Sequence, residues 1–356
     1  MKATAWNTGR VFGFVLGALI LAGSATASTS DDGQDGGPEA KRSRSFALDN
    51  DALVNGSRDK DYSFGLNMTY RGQGVTDHFL SMHTPLGWLD NLIGLESTPL
   101  RDNSAQIEYG FYAFTPDEIS ESKPIDDDRP YASLTFISNS HERYQAGDEV
   151  AWHSTLTVGI LGLDFAGDIQ DGIHTLTDSE DTEGWDNQIS DGGEPTARYA
   201  LARSNLLYKN STSFEIKSTV QGSVGYLTEA SWGLGLRAGN IHTPWSSFTP
   251  ELTTYGERPN PSDLAKVSEH YLWTGFSLTA RAYSAFLQGQ FRDSEVTYDS
   301  GDLNIGMASA WLGYTHVFEN GYSLSYSMRG QTSEFDDDDS DEIIYWGTLS
   351  LSKYFF

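Results

Sequence analysis

Near its C-terminal end the chain alternates strictly. Tyr322, Leu324, Tyr326 and Met328 are interleaved with Ser323, Ser325, Ser327 and Arg329. A period of two places the two sets on opposite faces of an extended strand. Asn320-Gly321 precedes the run and suits a two-residue hairpin turn with positive φ at both positions. Ile305–Phe318 is therefore the expected antiparallel partner. The same reading marks Ser63–Arg71, Ala105–Phe114, Tyr131–Tyr144, Val150–Gly162, Ala197–Tyr208, Ser213–Tyr226, Trp232–Ala238, Tyr271–Gln290 and Ile343–Phe356 as strands. Gly147-Asp148 and Asn210-Ser211 supply short turns between neighbours. Only the stretch near Leu86–Leu95 has a helical pattern. The chain is read as all-β.

Two all-β architectures fit: a soluble sandwich and a transmembrane antiparallel β-barrel of the bacterial outer membrane. The N-terminus favours the barrel. Lys2 and Arg10 flank a basic region, Val11–Ala22 is small and apolar, and Ala25-Thr26-Ala27 suits a signal-peptidase site. Residues 1–27 are thus expected to be a signal peptide, 28–44 a disordered acidic leader and 45–356 the barrel. The 18 Tyr, 18 Phe and 9 Trp cluster near strand ends, as interfacial girdles require. Lys353-Tyr354-Phe355-Phe356 resembles the terminal assembly signal of bacterial outer-membrane proteins. Lys353 shares a parity with Leu349, Leu351 and Phe355, and Phe356 has the other, which suggests a bulge in the last strand.

Charge narrows the partners. Fifty acidic residues against 23 basic ones give a formal charge of −27. Nucleic acid is a poor partner for that balance and divalent cations are good ones. There are no cysteines, so no disulfide supports the fold. Asp336–Glu342 reads as an exposed acidic loop.

The candidate chemistry sits in three polar stretches. Asn50–Tyr62 holds three Asp and two Asn; it leads into a strand and would present polar groups at the mouth of the scaffold. Asp126-Asp127-Asp128-Arg129-Pro130-Tyr131 precedes another strand, with Arg129 read as a structural ion-pair partner. Gly167–Gln188, a loop or short helix, contains Gln170, His174, Glu180 and Gly184-Trp185-Asp186-Asn187-Gln188. His174 is a candidate general base near neutral pH, and Glu180 could orient it or hold a metal. A hard cation with oxygen ligands, Ca²⁺, suits an acidic, cysteine-free site. No Gly-x-Ser-x-Gly elbow and no His-Glu-x-x-His pair occurs. Gly233-Leu234-Gly235-Leu236-Arg237-Ala238 mimics a dinucleotide fingerprint, but alternates within a strand with no helix after it.

The order of these motifs resembles one family. Asn50-Asp51, Asp61-Tyr62-Ser63-Phe64-Gly65-Leu66, Asp128-Arg129-Pro130-Tyr131-Ala132, Gln170 with His174, and Gly184-Trp185-Asp186-Asn187-Gln188 are similar to the outer-membrane lipid A 3′-O-deacylases (LpxR-type). The resemblance implies a barrel of about twelve strands and Ca²⁺-dependent hydrolysis of the ester carrying the 3′-acyloxyacyl group of lipid A. It carries catalytic positions onto Asn50, Asp51, His174 and Glu180, with Asp51 or Glu180 on the metal. Ser63 falls where the family pattern has Thr. Gln170 would contact substrate, and Lys123 is the basic residue nearest the family's headgroup-binding positions. The implied partners are lipid A, as part of lipopolysaccharide, and outer-membrane lipids. From a different class, a non-catalytic barrel, porin or structural, also fits the strand pattern.

Overall fold

The computed structural model describes residues 42–54, 61–72, 74–95, 98–100, 104–125, 128–144, 149–168, 170, 182–210, 212–258, 266–336 and 343–356. The expected signal peptide and most of the leader lie outside them. The described residues form twelve strands: β1 (Arg42–Asn50), β2 (Asp61–Gly72), β3 (Gln106–Thr115), β4 (Ala132–Tyr144), β5 (Val150–Leu161), β6 (Glu194–Asn210), β7 (Phe214–Gly225), β8 (Leu227–Asn240), β9 (Glu269–Ser284), β10 (Gly306–Val317), β11 (Tyr322–Gln331) and β12 (Ile344–Phe355). Each pairs antiparallel with the next, and β1 pairs with β12 to close the barrel, which leaves no exposed edge. The rim carrying Arg42 and Phe355 is called lower here; the rim carrying Asn50 and Ile344 is upper.

The two faces follow the period of two. Outward positions on β9 to β11 carry Leu272, Phe276, Leu278, Leu312, Tyr314, Leu324, Tyr326 and Met328, all exposed. A wall that turns apolar side chains outward suits lipid. No helix among the described residues is long and apolar enough to cross a membrane. The fingerprint-like glycines lie within β8, as expected.

The lumen is filled. The chain between β8 and β9 turns inward from the lower rim. There Glu251 accepts from Thr219 Oγ1 at 2.7 Å and Glu257 from Thr157 Oγ1 at 3.0 Å. Arg258 pairs with Asp49. Higher up, Tyr62, Tyr112, Phe114, Phe136, Tyr226, Tyr255, Phe286 and Trp346 form one buried cluster. Arg129 lies 4.2 Å from the Phe114 ring centroid and pairs with Glu334, with Asp61 at 3.5 Å. Burial alone would raise the Glu334 carboxyl, but Arg129 and Arg281 overcome it and hold it at about 2. Arg129 is thus a structural ion-pair residue, as expected, although its side-chain partners are Glu334 and Asp61 rather than the Asp beside it.

Four local expectations need correction. β1 begins at Arg42, inside the stretch assigned to the leader. β9 stops at Ser284, and Ala285–Gln288 forms a short helix, α2, instead of continuing to Gln290. Burial of Phe286 and Leu287 in the upper opening competes successfully with further extension. No bulge interrupts β12, whose register with β1 and β11 is continuous. Lys353 shares the outward face because its Nζ reaches the lower rim, donating to Asn320 O at 2.6 Å and lying 4.1 Å from the Tyr322 ring centroid. Tyr62, at the end of the expected polar turn, is fully buried and gives its hydroxyl to Asp49 Oδ2 at 2.6 Å.

Candidate active site on the outer wall

Asn50 ends β1 on its outward face. It shares the parity of Phe46 and Leu48, opposite Phe64 on one side and Gly347 on the other, while Asp49 points inward to Arg258. Asn50 Oδ1 accepts from Ala52 N at 3.1 Å, and its Nδ2 donates to Ser63 O at 2.8 Å. The first contact caps the 3-10 turn Asp51–Leu53. That turn leads the chain outward. Leu53 lies over Gly347, where an added Cβ would come within 2.5 Å of Leu53 Cβ, and Tyr326 OH donates to Leu53 O at 2.7 Å. Only glycine permits that approach. Asp51 is therefore buried on the outside of the wall, 3% exposed, with Oδ1 accepting from Ala52 N at 2.6 Å.

Ser63 reaches the same side through a backbone irregularity. Asp61 has a φ of 62°, a left-handed conformation that Asp tolerates better than most residues. The β2–β3 register then shifts between Tyr62 and Phe64, which makes Ser63 the extra residue of a bulge. Tyr62 points into the lumen, whereas Ser63 Oγ lies 2.5 Å from Thr115 Oγ1, on the outward face of β3. Both hydroxyls are buried. A bulge beside a functional position is a recurrent way to re-aim one side chain.

The β5–β6 connection covers this wall. Ala166 and Trp185 pack into one apolar cluster with Phe64, Phe111, Ala113 and Tyr131, against which Leu48 and Leu66 also rest. The Tyr131 and Trp185 ring centroids are 4.8 Å apart. Gly184 fits beneath Tyr131, where a Cβ would come within 2.4 Å of its ring. Trp185 Nε1 donates to Gln170 Oε1 at 3.0 Å. Gln170 is itself buried, and its Nε2 has no partner among the described residues. Asn187 Nδ2 donates to Ser122 O at 3.1 Å, which ties the cover to the β3–β4 connection and to its exposed Lys123.

Of the expected site residues, the structure brings Asn50, Asp51 and Ser63 together and holds Gln170 on the same apolar patch. Lys123 sits at the edge, on the neighbouring connection. His174 and Glu180 lie outside the described residues; the chain on either side of them, at Gln170 and at Trp185, is fastened to this wall. Thr115 was not anticipated. Its only sequence signal is a hydroxyl at the end of a strand.

Residues 14–355 match the family model described as "Outer membrane protein LpxR". The chain belongs to that family. Its place is the outer membrane, in keeping with the apolar exterior of the barrel. Among solved structures it is similar to LpxR from Salmonella typhimurium, at 15% identity and a TM-score of 0.67, with 88% of this chain and 100% of that one covered. Lesser likenesses are to the beta domain of the Bordetella autotransporter BrkA (10% identity, TM-score 0.41, 89% and 99% covered) and to the COG4313 outer membrane channel from Pseudomonas putida F1 (8%, 0.41, 92% and 100%). No curated protein matches the chain.

Among the described residues no group of three or more His, Asp or Glu could hold a metal ion. The donors present are the Asp51 carboxylate and hydroxyl and carbonyl oxygens. An all-oxygen set of this kind fits a hard cation such as Ca²⁺.

Proposed function

We propose that this protein is an outer-membrane esterase that removes the 3′-acyloxyacyl group of lipid A, with the patch of Asn50, Asp51, Ser63 and Gln170 as part of its active site. The observation that carries the reading is the side of the wall. These residues face away from the lumen, beneath a short cover, where an acyl chain can enter sideways from the bilayer. The filled lumen speaks against the porin reading, because Glu251, Glu257 and the aromatic cluster occupy the path a solute would take. The site is also at the rim opposite β1's first residue.

In this reading His174 is the general base. It takes a proton from water as the water oxygen bonds to the ester carbonyl carbon. When the tetrahedral adduct collapses, the ester C–O bond breaks and the same imidazole returns the proton to the departing sugar oxygen. Asp51 or Glu180 would hold Ca²⁺, through oxygen donors alone. When bound, that ion supplies positive charge for the developing oxyanion. Asn50 has a second N–H beyond the one given to Ser63 O, and this can serve the same oxygen. Ser63, held against Thr115, positions a ligand or water and does not attack. Gln170 offers its amide nitrogen to the substrate, and Lys123 stands near enough to the edge to meet a headgroup phosphate.

The test is the mass of lipid A from cells making the wild-type protein or His174→Ala. The wild type should leave lipid A lighter by one acyloxyacyl group, and the variant should leave it intact while still folding as a barrel. Equal masses with wild-type protein, or an active His174→Ala, would overturn the proposal. Chelation followed by Ca²⁺ or Mg²⁺ addition tests the metal separately.

A further inference from the structure

A second piece of chain lies on the outside of the barrel, far from the site above. It is α1 (His83–Leu92), in the β2–β3 connection at the lower rim. Its orientation is the reverse of that in a soluble protein. Toward the wall it turns His83, Leu86 and Asp90; away from it, Trp88 and Leu92 are 62% and 64% exposed. Ile93, just after the helix, is 49% exposed, and Phe79, just before it, is 85% exposed. A helix on a water-soluble surface buries its apolar stripe and exposes its charges.

The wall beneath explains the inversion. Outward positions at the lower ends of β4 and β5 carry Asn139, His141, Arg143 and Ser154, with Tyr199 beside them on β6. Asp90, fully buried, accepts from His141 Nδ1 at 3.2 Å, Arg143 Nη2 at 3.2 Å, Ser154 Oγ at 2.9 Å and Tyr199 OH at 2.9 Å. Asn139 Oδ1 accepts from Met82 N at 2.8 Å, and His83 Nδ1 lies 2.6 Å from His141 Nε2. Left uncovered, these groups would interrupt the apolar exterior with polar and charged ones, which is costly against hydrocarbon. Higher on β5, outward Val158 and Ile160 are apolar and exposed. With α1 in place the apolar surface continues down to the lower rim.

We propose that α1 is a lipid-facing element: acyl chains and the interfacial region of the leaflet at the lower rim cover Phe79, Trp88, Leu92 and Ile93. Trp88 suits the boundary between hydrocarbon and headgroups, and the helix lies along the wall as an interfacial helix lies on a membrane. The continuity with the belt of a barrel that resides in the outer membrane selects lipid over a protein partner.

Because the chain has no cysteine, single labels test this directly. Leu92→Cys, Val224→Cys on the outward face of β7, and Glu295→Cys in an upper loop would each carry an environment-sensitive fluorophore. The proteins are reconstituted in phosphatidylethanolamine and phosphatidylglycerol vesicles, with brominated lipid or aqueous iodide as quencher. Position 92 should match position 224, with several-fold stronger quenching by lipid than at position 295 and weak quenching by iodide. Iodide quenching equal to that at 295 would overturn the proposal. So would protection of position 92 from both quenchers, which would mean a second copy or another protein covers the helix. Ile93→Cys gives the same readout should Leu92→Cys fail to fold.

Discussion

Among the described residues, chain covers the barrel exterior in two places, and they are built in opposite ways. At the upper rim the wall is apolar, with Phe64, Phe111 and Ala113, and the cover brings a polar group to it through Gln170. At the lower rim the wall is polar, with His141, Arg143 and Ser154, and the cover turns Trp88 and Leu92 outward. The difference separates two tasks. A site for a lipid ester needs an apolar slot for the chain and a few polar groups at its end. A repair of the lipid-facing surface needs its polar groups satisfied and hidden, because an unpartnered charge next to hydrocarbon is unfavourable. Changes at the lower patch should therefore act on stability and changes at the upper patch on turnover.

The largest effect is expected from Asp90→Ala. It leaves the Arg143 and His141 side chains and the Ser154 and Tyr199 hydroxyls without their shared acceptor, and breaking a buried pair of this kind costs about 3–5 kcal/mol. The urea midpoint of the reconstituted barrel should fall accordingly. Deacylation per folded molecule should stay unchanged. A variant that is stable but inactive would merge the two patches into one function.

Next comes Trp185→Ala. Trp185 is 7% exposed and anchors the upper cover; its removal should weaken docking of that cover by about 3 kcal/mol. Hydrogen exchange reads this at the Gln188 and Ile189 amides, which donate to Trp185 O and Tyr131 O. KM should rise, since Gln170 also loses its donor. Trp88→Ala is the matching control at the lower patch. Its ring faces away from the barrel wall at the opposite rim, so exchange at those two amides should be unchanged.

Asp51→Asn should lower turnover about a hundredfold, equivalent to about 2.7 kcal/mol of transition-state stabilisation, with the urea midpoint nearly unmoved. The substitution keeps the size of the side chain and an oxygen acceptor for Ala52 N. Mass spectrometry of lipid A over time gives the rate. A large loss of stability in place of the loss of rate would make Asp51 a structural residue.

How far these features are legible in the sequence depends on which interaction decides each. The strand pattern is legible because burial on one face and lipid on the other enforce a period of two, as in Tyr322–Gln331. β1 is not, because Arg44 faces outward at its lower end, 5.7 Å from the Tyr70 and Phe355 ring centroids, and so blurs the alternation. The motif residues Asn50, Asp51 and Ser63 are legible as a group. Their position outside the wall is not: it depends on a bulge at Ser63 and on Leu53 meeting Gly347, a contact nearly the whole chain apart. The helix near Leu86–Leu95 is visible and sits a few residues earlier, at His83–Leu92. Its inverted orientation rests on partners in β4, β5 and β6 that no local pattern names.

The smallest expected effect is a pH dependence of α1 docking, and it tests whether the lower patch is held by the polar contacts described. His83 is half-buried. Burial lowers its affinity for a proton below the ordinary 6.5, and the neighbouring His141 and Arg143 lower it further, against the opposing pull of Asp90 and Asp77. The docked helix thus favours the neutral imidazole, whereas the undocked one titrates near 6.5. Docking is at full strength above that value and weakens as pH falls through it toward the lowered value of the docked state. Lipid quenching of the label at position 92 should therefore decline modestly from about pH 8 to about pH 5. The decline should be absent in His83→Gln, which cannot titrate and can still hydrogen-bond to His141. Quenching that instead rises on acidification would mean that protonated His83 is the better partner, with the attraction of Asp90 outweighing the repulsion of Arg143 and His141.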